Sequence, residues 1–354
     1  MARRVFVNAW VGVDNHGDEL LFDRLLAHLH TTGETDVTVT SFAPDATRRL
    51  HRVDAIHPRN LAAVVRAIRN ADLFVLGPGG LLQDASSPWN LPYQLHRAVL
   101  ARLLQTPVLG MGLGADPMSR RMSGPLLRVA LGRAEAIVVR DDTSRDALTD
   151  HRLAAVVTAD LAFGSQPPPD AEGDAVVVSL RPRRRGGLLP VKWQRQSLDD
   201  EQIRAAAKAL DKVSVDLAAP VRFVAFEPHT DQPLHEAVAA CMTQPASCVV
   251  PAEGGLIAEM ATAHLVIATR YHAGITALIA GRPTVLIGYA PKVRSLATAT
   301  GVPLLADTND ALADLPNAAS TSFLTENAGR TLAALQAAEA RNGEIIAQAL
   351  GRDT

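Results

Sequence analysis

Lysine is nearly missing from this chain of 354 residues: only four of its 35 basic residues are lysines, at 192, 208, 212 and 292, and the other 31 are arginines. A lysine in an apolar strand-and-turn context is therefore less generic than usual, because an ammonium is a compact point charge and a guanidinium a flat fork. Cysteine is scarce as well. Cys241 and Cys248 supply neither a disulfide framework nor metal-ligand spacing, which points to reducing, cytosolic surroundings and to no metal site. Charge is nearly balanced at −2, which argues against a dedicated nucleic-acid binder. No apolar run is long enough to span a bilayer, since the region 265–290 is broken by Arg270, His272 and Arg282. The short mixed run after Arg4 leads into Asp14 and Asn15, so no secretory signal is expected. These absences describe a cytoplasmic protein and leave open peripheral contact with the inner face of a membrane.

What is present is enough apolar sequence, 47% against 20% charged, to build cores. The length suits two domains. Apolar strands alternate with amphipathic helices: Val5-Phe6-Val7, then Asp18 to His30; Val37 to Thr40, then Leu61 to Ile68; Leu73 to Leu76, then a glycine turn and Leu95 to Leu104. Val108 to Met111, Leu126 to Leu131, Ala136 to Val139 and Thr143 to Leu148 continue the series. Such βαβα order implies a mostly parallel sheet covered on both faces. Gln166-Pro167-Pro168-Pro169-Asp170 interrupts it as a stiff extended linker. The pattern restarts at Ala175 and runs to the strand Val285-Leu286-Ile287, and an Ala-rich helix follows from Glu326. We therefore expect two doubly wound, Rossmann-like α/β domains facing a cleft, at 1–165 and 171–325, joined by a 166–170 linker. The terminal helix, 326–354, is expected to pack back on the first domain. No internal repeat is visible.

The most informative stretch is Thr269-Arg270-Tyr271-His272-Ala273-Gly274, with Tyr289-Ala290-Pro291-Lys292 downstream. Leu265 to Ala268 reads as a buried strand, so Arg270 and His272 stand just past its carboxyl end, where open α/β sheets bind ligands. A fixed cation, an imidazole and a rare lysine make an anion site with a proton donor; an ordinary strand-to-helix turn is the alternative. In the first half, Gly12 to Glu19 follows the first strand and opens the first helix, whose free N–H groups can hold an anion or a sugar hydroxyl. Asp18 there is equally an N-cap. Gly77-Pro78-Gly79-Gly80 leads to Gln83 and Asp84, side chains able to bind sugar hydroxyls, and Gly110-Met111-Gly112-Leu113-Gly114 repeats the idea one strand on. None of these is the Gly-x-Gly-x-x-Gly dinucleotide fingerprint. Arg140 closes a strand and faces the cleft or a neighbouring carboxylate. Arg181 to Arg185 is a solvated loop or a clamp for a phosphate-rich substrate.

Taken in order, Asn15-x-Gly17-Asp18-Glu19, Leu81-Leu82-Gln83-Asp84, Gly112-x-Gly114, Arg140-Asp141 with Ser144 and Leu148, Asp160, Ser179-x-Arg181, Arg270-x-His272, Gly281-x-Pro283 and Tyr289-x-x-Lys292 resemble the polysaccharide pyruvyl transferase family over nearly the whole chain. Two residues depart from it. Pro78 stands where the family usually has the middle glycine of three, removing an N–H donor, and Ala115 where a proline often follows.

The resemblance implies a GT-B-like fold and transfer of pyruvate from phosphoenolpyruvate onto two hydroxyls of a sugar. Phosphate is released and a cyclic ketal is left on a glycan or glycan precursor of cell wall or exopolysaccharide. It implies His272 as general acid and Arg270, Lys292, Arg140 and Arg181 as donor-binding cations. Asn15, Gly17, Asp18, Gly79, Gly80 and Asp84 are assigned to the acceptor side. The only co-substrate implied is phosphoenolpyruvate, with no cofactor, and the acceptor sugar is lipid-linked, nucleotide-linked or free. The residue types suit that chemistry: an imidazole can protonate C3 of the donor, and a small trianion needs several cations in a partly dry cleft. A nucleotide-sugar glycosyltransferase or epimerase of the same shape is the rival, with Glu253 and Glu259 as its candidate pair at a spacing two short of that motif. A non-catalytic sugar-binding protein is the remaining alternative.

Overall fold

Strands buried on both faces read as unbroken apolar runs, and Leu73-Phe74-Val75-Leu76 and Val176-Val177-Val178 are of this kind, with no side chain exposed. The computed structural model describes residues 2–167, 173–183, 199–252, 254–321 and 326–351. Among them, one sheet contains β1 (Arg3–Val11), β2 (Thr35–Ser41), β3 (Asp54–Ile56), β4 (Leu73–Leu76), β5 (Gly79–Leu82), β6 (Val108–Ala115), β7 (Ala136–Val139) and β8 (Val156–Val157). The other contains β9 (Ala175–Ser179), β10 (Val221–Val224), β11 (Ala246–Val249), β12 (Ala263–Ala268), β13 (Thr284–Gly288) and β14 (Leu304–Ala306).

The first sheet runs β3-β2-β1-β4-β6-β7-β8, with β5 paired to β6, and the second β11-β10-β9-β12-β13-β14. Each ladder is parallel. Strand order therefore reverses between β1 and β4 in one sheet and between β9 and β12 in the other. The crevice beyond such a reversal is where doubly wound sheets hold ligands. From the first reversal emerge the turns Gly12–Gly17 and Gly77–Gly80; from the second, Arg181 and the Thr269-Arg270 pair.

The halves meet directly. One apolar cluster includes Leu161 and Phe163 with Phe226 and Tyr271, and the His16 amide donates to the Phe226 carbonyl at 2.9 Å. The terminal helix, Glu326–Ala349, returns to the first half: buried Glu339 meets His28 Nε2 at 2.5 Å, and the Thr158 hydroxyl donates to Asn342 at 2.8 Å. Most of the proline linker, from Pro168 on, lies outside the described residues. Among those described, no helix is long and apolar enough to cross a membrane.

Candidate active site

His272 lies in the first turn of the helix Tyr271–Ile279, directly after β12. Its ring rests on the backbone of the other half: a Cβ built on Gly17 would stand 2.2 Å from the His272 Nδ1. Only glycine fits there. On the other side, Nε2 faces Asp160 Oδ2 at 3.8 Å, beyond direct hydrogen-bonding distance. Asp160 accepts from Arg140 Nη1 at 3.0 Å and from the Ala162 amide at 3.1 Å. Burial would raise its carboxyl, but His272 and Arg140 outweigh burial and hold it at about 2. A permanent carboxylate from the first half thus stands beside an imidazole from the second.

Cations surround this pair. Gly114 gives Arg140 its space, since a Cβ there would lie 2.6 Å from Nη2. A Cβ on Gly80 would lie 3.6 Å from the same nitrogen and 4.0 Å from Lys292 Nζ. Arg140 sits 4.5 Å over the Tyr271 ring and Arg181 4.0 Å over Tyr289. Lys292 lies 5.6 Å and 5.9 Å from the centres of the same two rings. Burial pushes the Tyr289 phenol up, yet Lys292, Arg181 and Arg270 together bring it down to about 8. Beside them opens a pocket of about 310 Å³, measured out to open solvent and lined by Gly80, Gly114, Arg140, Thr143, Ser144 and Lys292 among others.

Asp18 completes the constellation. Its Oδ1 lies 3.4 Å from the position a Cβ would take on Gly79. Burial raises its carboxyl to about 6, with Glu227 adding to the rise and His272, Lys292 and Arg140 opposing it. A carboxyl at that value is ionised at neutral pH and ready to take a proton.

The structure thus brings His272, Arg140, Lys292, Arg181, Gly17, Asp18, Gly79 and Gly80 together. Three other expected site residues are engaged within the protein itself. The Arg270 fork is engaged by buried Asp231 and by Glu227, with Nε 3.0 Å from Asp231 Oδ2 and Nη1 2.9 Å from Glu227 Oε1. Asn15 is occupied at both ends, its Oδ1 capping the first helix at Gly17 and Asp18 and its Nδ2 donating to Glu227 at 3.0 Å. Asp84 is buried and accepts from the Arg120 amide and the Ser123 hydroxyl, each at 2.9 Å, contacts that hold the turn it stands in. Gly17 and Asp18, from the first half, adjoin His272 directly.

Several residues of the site escape sequence reasoning. Asp160 carried no role there because it follows a two-residue strand with no periodic signal; only its place in the family's residue order singled it out. Glu227 and Asp231, four apart at a helix start, look like ordinary capping residues. Tyr271 and Tyr289 sit inside the quoted stretches, and only the fold shows that their faces carry the cations. Arg183 is anchored by Asp307 and Asn309 at 2.8 Å and 2.7 Å; Arg184 and Arg185 lie outside the described residues. Of the rival's glutamate pair, Glu259 lies 3.8 Å from Arg222 and Glu253 lies outside the described residues. Among the described residues no group of three or more His, Cys, Asp or Glu could hold a metal ion.

Two parallel, doubly wound sheets with their strand reversals meeting at one site define a two-domain α/β fold of GT-B type. A glycosyltransferase from Rickettsia africae matches it with a TM-score of 0.64 at 10% identity, covering 100% of both chains. The UDP-GlcNAc 2-epimerase of Neisseria meningitidis, bound to UDP-GlcNAc, matches at 0.60 and 10% identity over 98% of this chain and 100% of that one. The UDP-GlcNAc 2-epimerase of Methanocaldococcus jannaschii, in complex with UDP-GlcNAc and UDP, matches at 0.56 and 10% identity over 91% and 94%. At such identities the likeness is one of fold. No curated protein matches the chain. The sequence model of the polysaccharide pyruvyl transferase family matches residues 15–291, and the chain belongs to that family.

Proposed function

We propose that this protein moves pyruvate from phosphoenolpyruvate onto two hydroxyls of one sugar, in a glycan or glycan precursor, with His272 as general acid. The observation that carries this reading is an imidazole and a carboxyl raised to about 6, His272 and Asp18, standing among the cations Arg140, Lys292 and Arg181. The cations suit the phosphate and carboxylate of a small trianion. His272 gives its proton to C3 of the donor, and C2 gains oxocarbenium character. The first sugar hydroxyl bonds to C2, and its proton passes to Asp18. The bond from C2 to the phosphate oxygen then breaks, and phosphate leaves with the electron pair and the proton from Asp18. The second hydroxyl adds to C2 and returns a proton to His272, closing the ketal. Asp160 and Arg140 position the imidazole, and Arg270 positions the turn that bears it.

Nothing specific favours the nucleotide-sugar reading beyond the fold, and Glu259 lies beside Arg222. Phosphate release from phosphoenolpyruvate, assayed with chelator across a panel of free, nucleotide-linked and lipid-linked sugars, tests the proposal. Release dependent on a sugar with two suitably placed hydroxyls is expected. Turnover of UDP- or GDP-sugars with no phosphoenolpyruvate use would replace it with the rival.

A further inference from the structure

The helices Leu61–Asn70, Asn90–Leu103 and Ser123–Leu131 cover one face of the first sheet, their inner sides sharing a core with Val64, Leu95 and Leu127. Their outer sides are unusual in two independent ways. Among the described residues, the four most exposed large apolar side chains all belong to this layer: Leu103 at 76%, Met122 at 71%, and Leu61 and Trp89 at 65%. Three of them, Leu61, Trp89 and Met122, stand at the N-terminal ends of the three helices. In a parallel sheet that is the strands' carboxyl edge, the edge at which the active site opens. Lower down, Leu103 and Val129 line a groove of about 990 Å³, measured out to open solvent, together with Arg102, Arg128 and Arg133.

Charge is the second feature. Residues 57–134 contain nine arginines and three aspartates, with no glutamate, in a chain whose net charge is −2. Asp84 and Arg97 are buried. Exposed Arg66, Arg69, Arg121 and Arg133 take part in no ion pair among the described residues.

From this we infer that the layer is a membrane-docking surface whose outer face, from the active-site edge down to the groove at Leu103, lies on anionic lipid. Exposed Leu, Met and Trp among arginines match what an anionic bilayer interface offers: apolar contact for the side chains, negative charge for the guanidinium groups. A second copy of this chain fits worse, because a two-fold contact would press the arginine-rich face against itself. The inference does not rest on the donor chemistry.

Flotation of the full chain with phosphatidylcholine vesicles, with and without phosphatidylglycerol, tests it. Binding should require phosphatidylglycerol and weaken as salt is raised. Each arginine near such a surface is worth roughly fivefold in partition. The combined variant Arg66→Glu, Arg69→Glu, Arg121→Glu, Arg133→Glu should therefore lose binding by more than about a hundredfold, with its thermal melt unchanged. Leu103→Ser with Met122→Ser should weaken binding and leave its salt dependence intact. A protein that stays in solution with phosphatidylglycerol vesicles, or variants that float as well as the parent, would overturn the inference. So would a concentration-dependent dimer in sedimentation that Leu103→Ser abolishes, which would make the face an interface between copies.

Discussion

Asp18 is the residue whose two roles conflict most openly. Burial raises its carboxyl from 3.8 to about 6, so between those values the folded protein binds a proton that the unfolded chain releases. Stability therefore falls as pH rises through that window, and above about 6 the folded state bears the whole cost of a desolvated carboxylate. Removing the charge should relieve it. At neutral pH Asp18→Asn should gain roughly 1–3 kcal/mol in denaturant unfolding, and the gain should shrink as pH falls toward 4. If Asp18 takes the hydroxyl proton, the same variant should lose turnover by about 10²–10⁴, and the parent enzyme should lose activity below about pH 6. A variant that is more stable and equally active would leave Asp18 with no part in proton transfer. The sequence names Asp18 as an N-cap or an anion-site residue; in the fold Asn15 is the cap and Asp18 lies in the helix's first turn. Its altered acidity depends on neighbours 122 to 274 positions away along the chain, Arg140 and Lys292 among them, and no local pattern carries that.

At the scale of elements, three helix starts are tied together. Arg270 precedes the helix Tyr271–Ile279, Asp231 and Glu227 belong to the start of Pro228–Cys241, and Asn15 caps His16–Thr31. The chain of contacts from Asn15 through Glu227 to Arg270 and Asp231 passes from one half to the other. Arg270→Lys keeps the charge and loses the fork. Breaking a buried pair costs about 3–5 kcal/mol when one partner is removed, so Arg270→Lys should unfold at clearly lower denaturant. Donor affinity of the protein that remains folded, read by calorimetry, should change much less. A variant of normal stability that binds donor poorly would return Arg270 to the donor site. Elements with a clear apolar period or an unbroken apolar run, such as Leu61–Asn70, Leu73–Leu76 and Ala136–Val139, were readable from the sequence nearly to the residue. The helix Pro228–Cys241 was not, because its polar start and Pro233 mask the period. Neither were β5, half of which is glycine, and β8, which has two residues and so carries too little pattern.

For the whole molecule, the alternation of strands and helices and the proline break were enough to read two doubly wound sheets, since parallel sheets need apolar strands separated by crossover helices. The same reading brought His272, Lys292 and Arg140 to the site, because strand ends gather at one edge. It did not show that Arg270, Asn15 and Asp84 hold protein partners, because a charged or polar residue at a strand end looks alike whether it faces a ligand or a buried partner. The central claim is that His272, set between Gly17 and Asp160, delivers a proton to C3 of phosphoenolpyruvate. Turnover in deuterated water, followed by NMR of the ketal methyl group, tests it most directly. The parent enzyme should place one solvent deuterium in that methyl group. His272→Gln should still fold and bind the donor, and should form product about 10²–10⁴ more slowly. A product methyl group free of solvent deuterium, or a His272→Gln enzyme as fast as the parent, would contradict the claim.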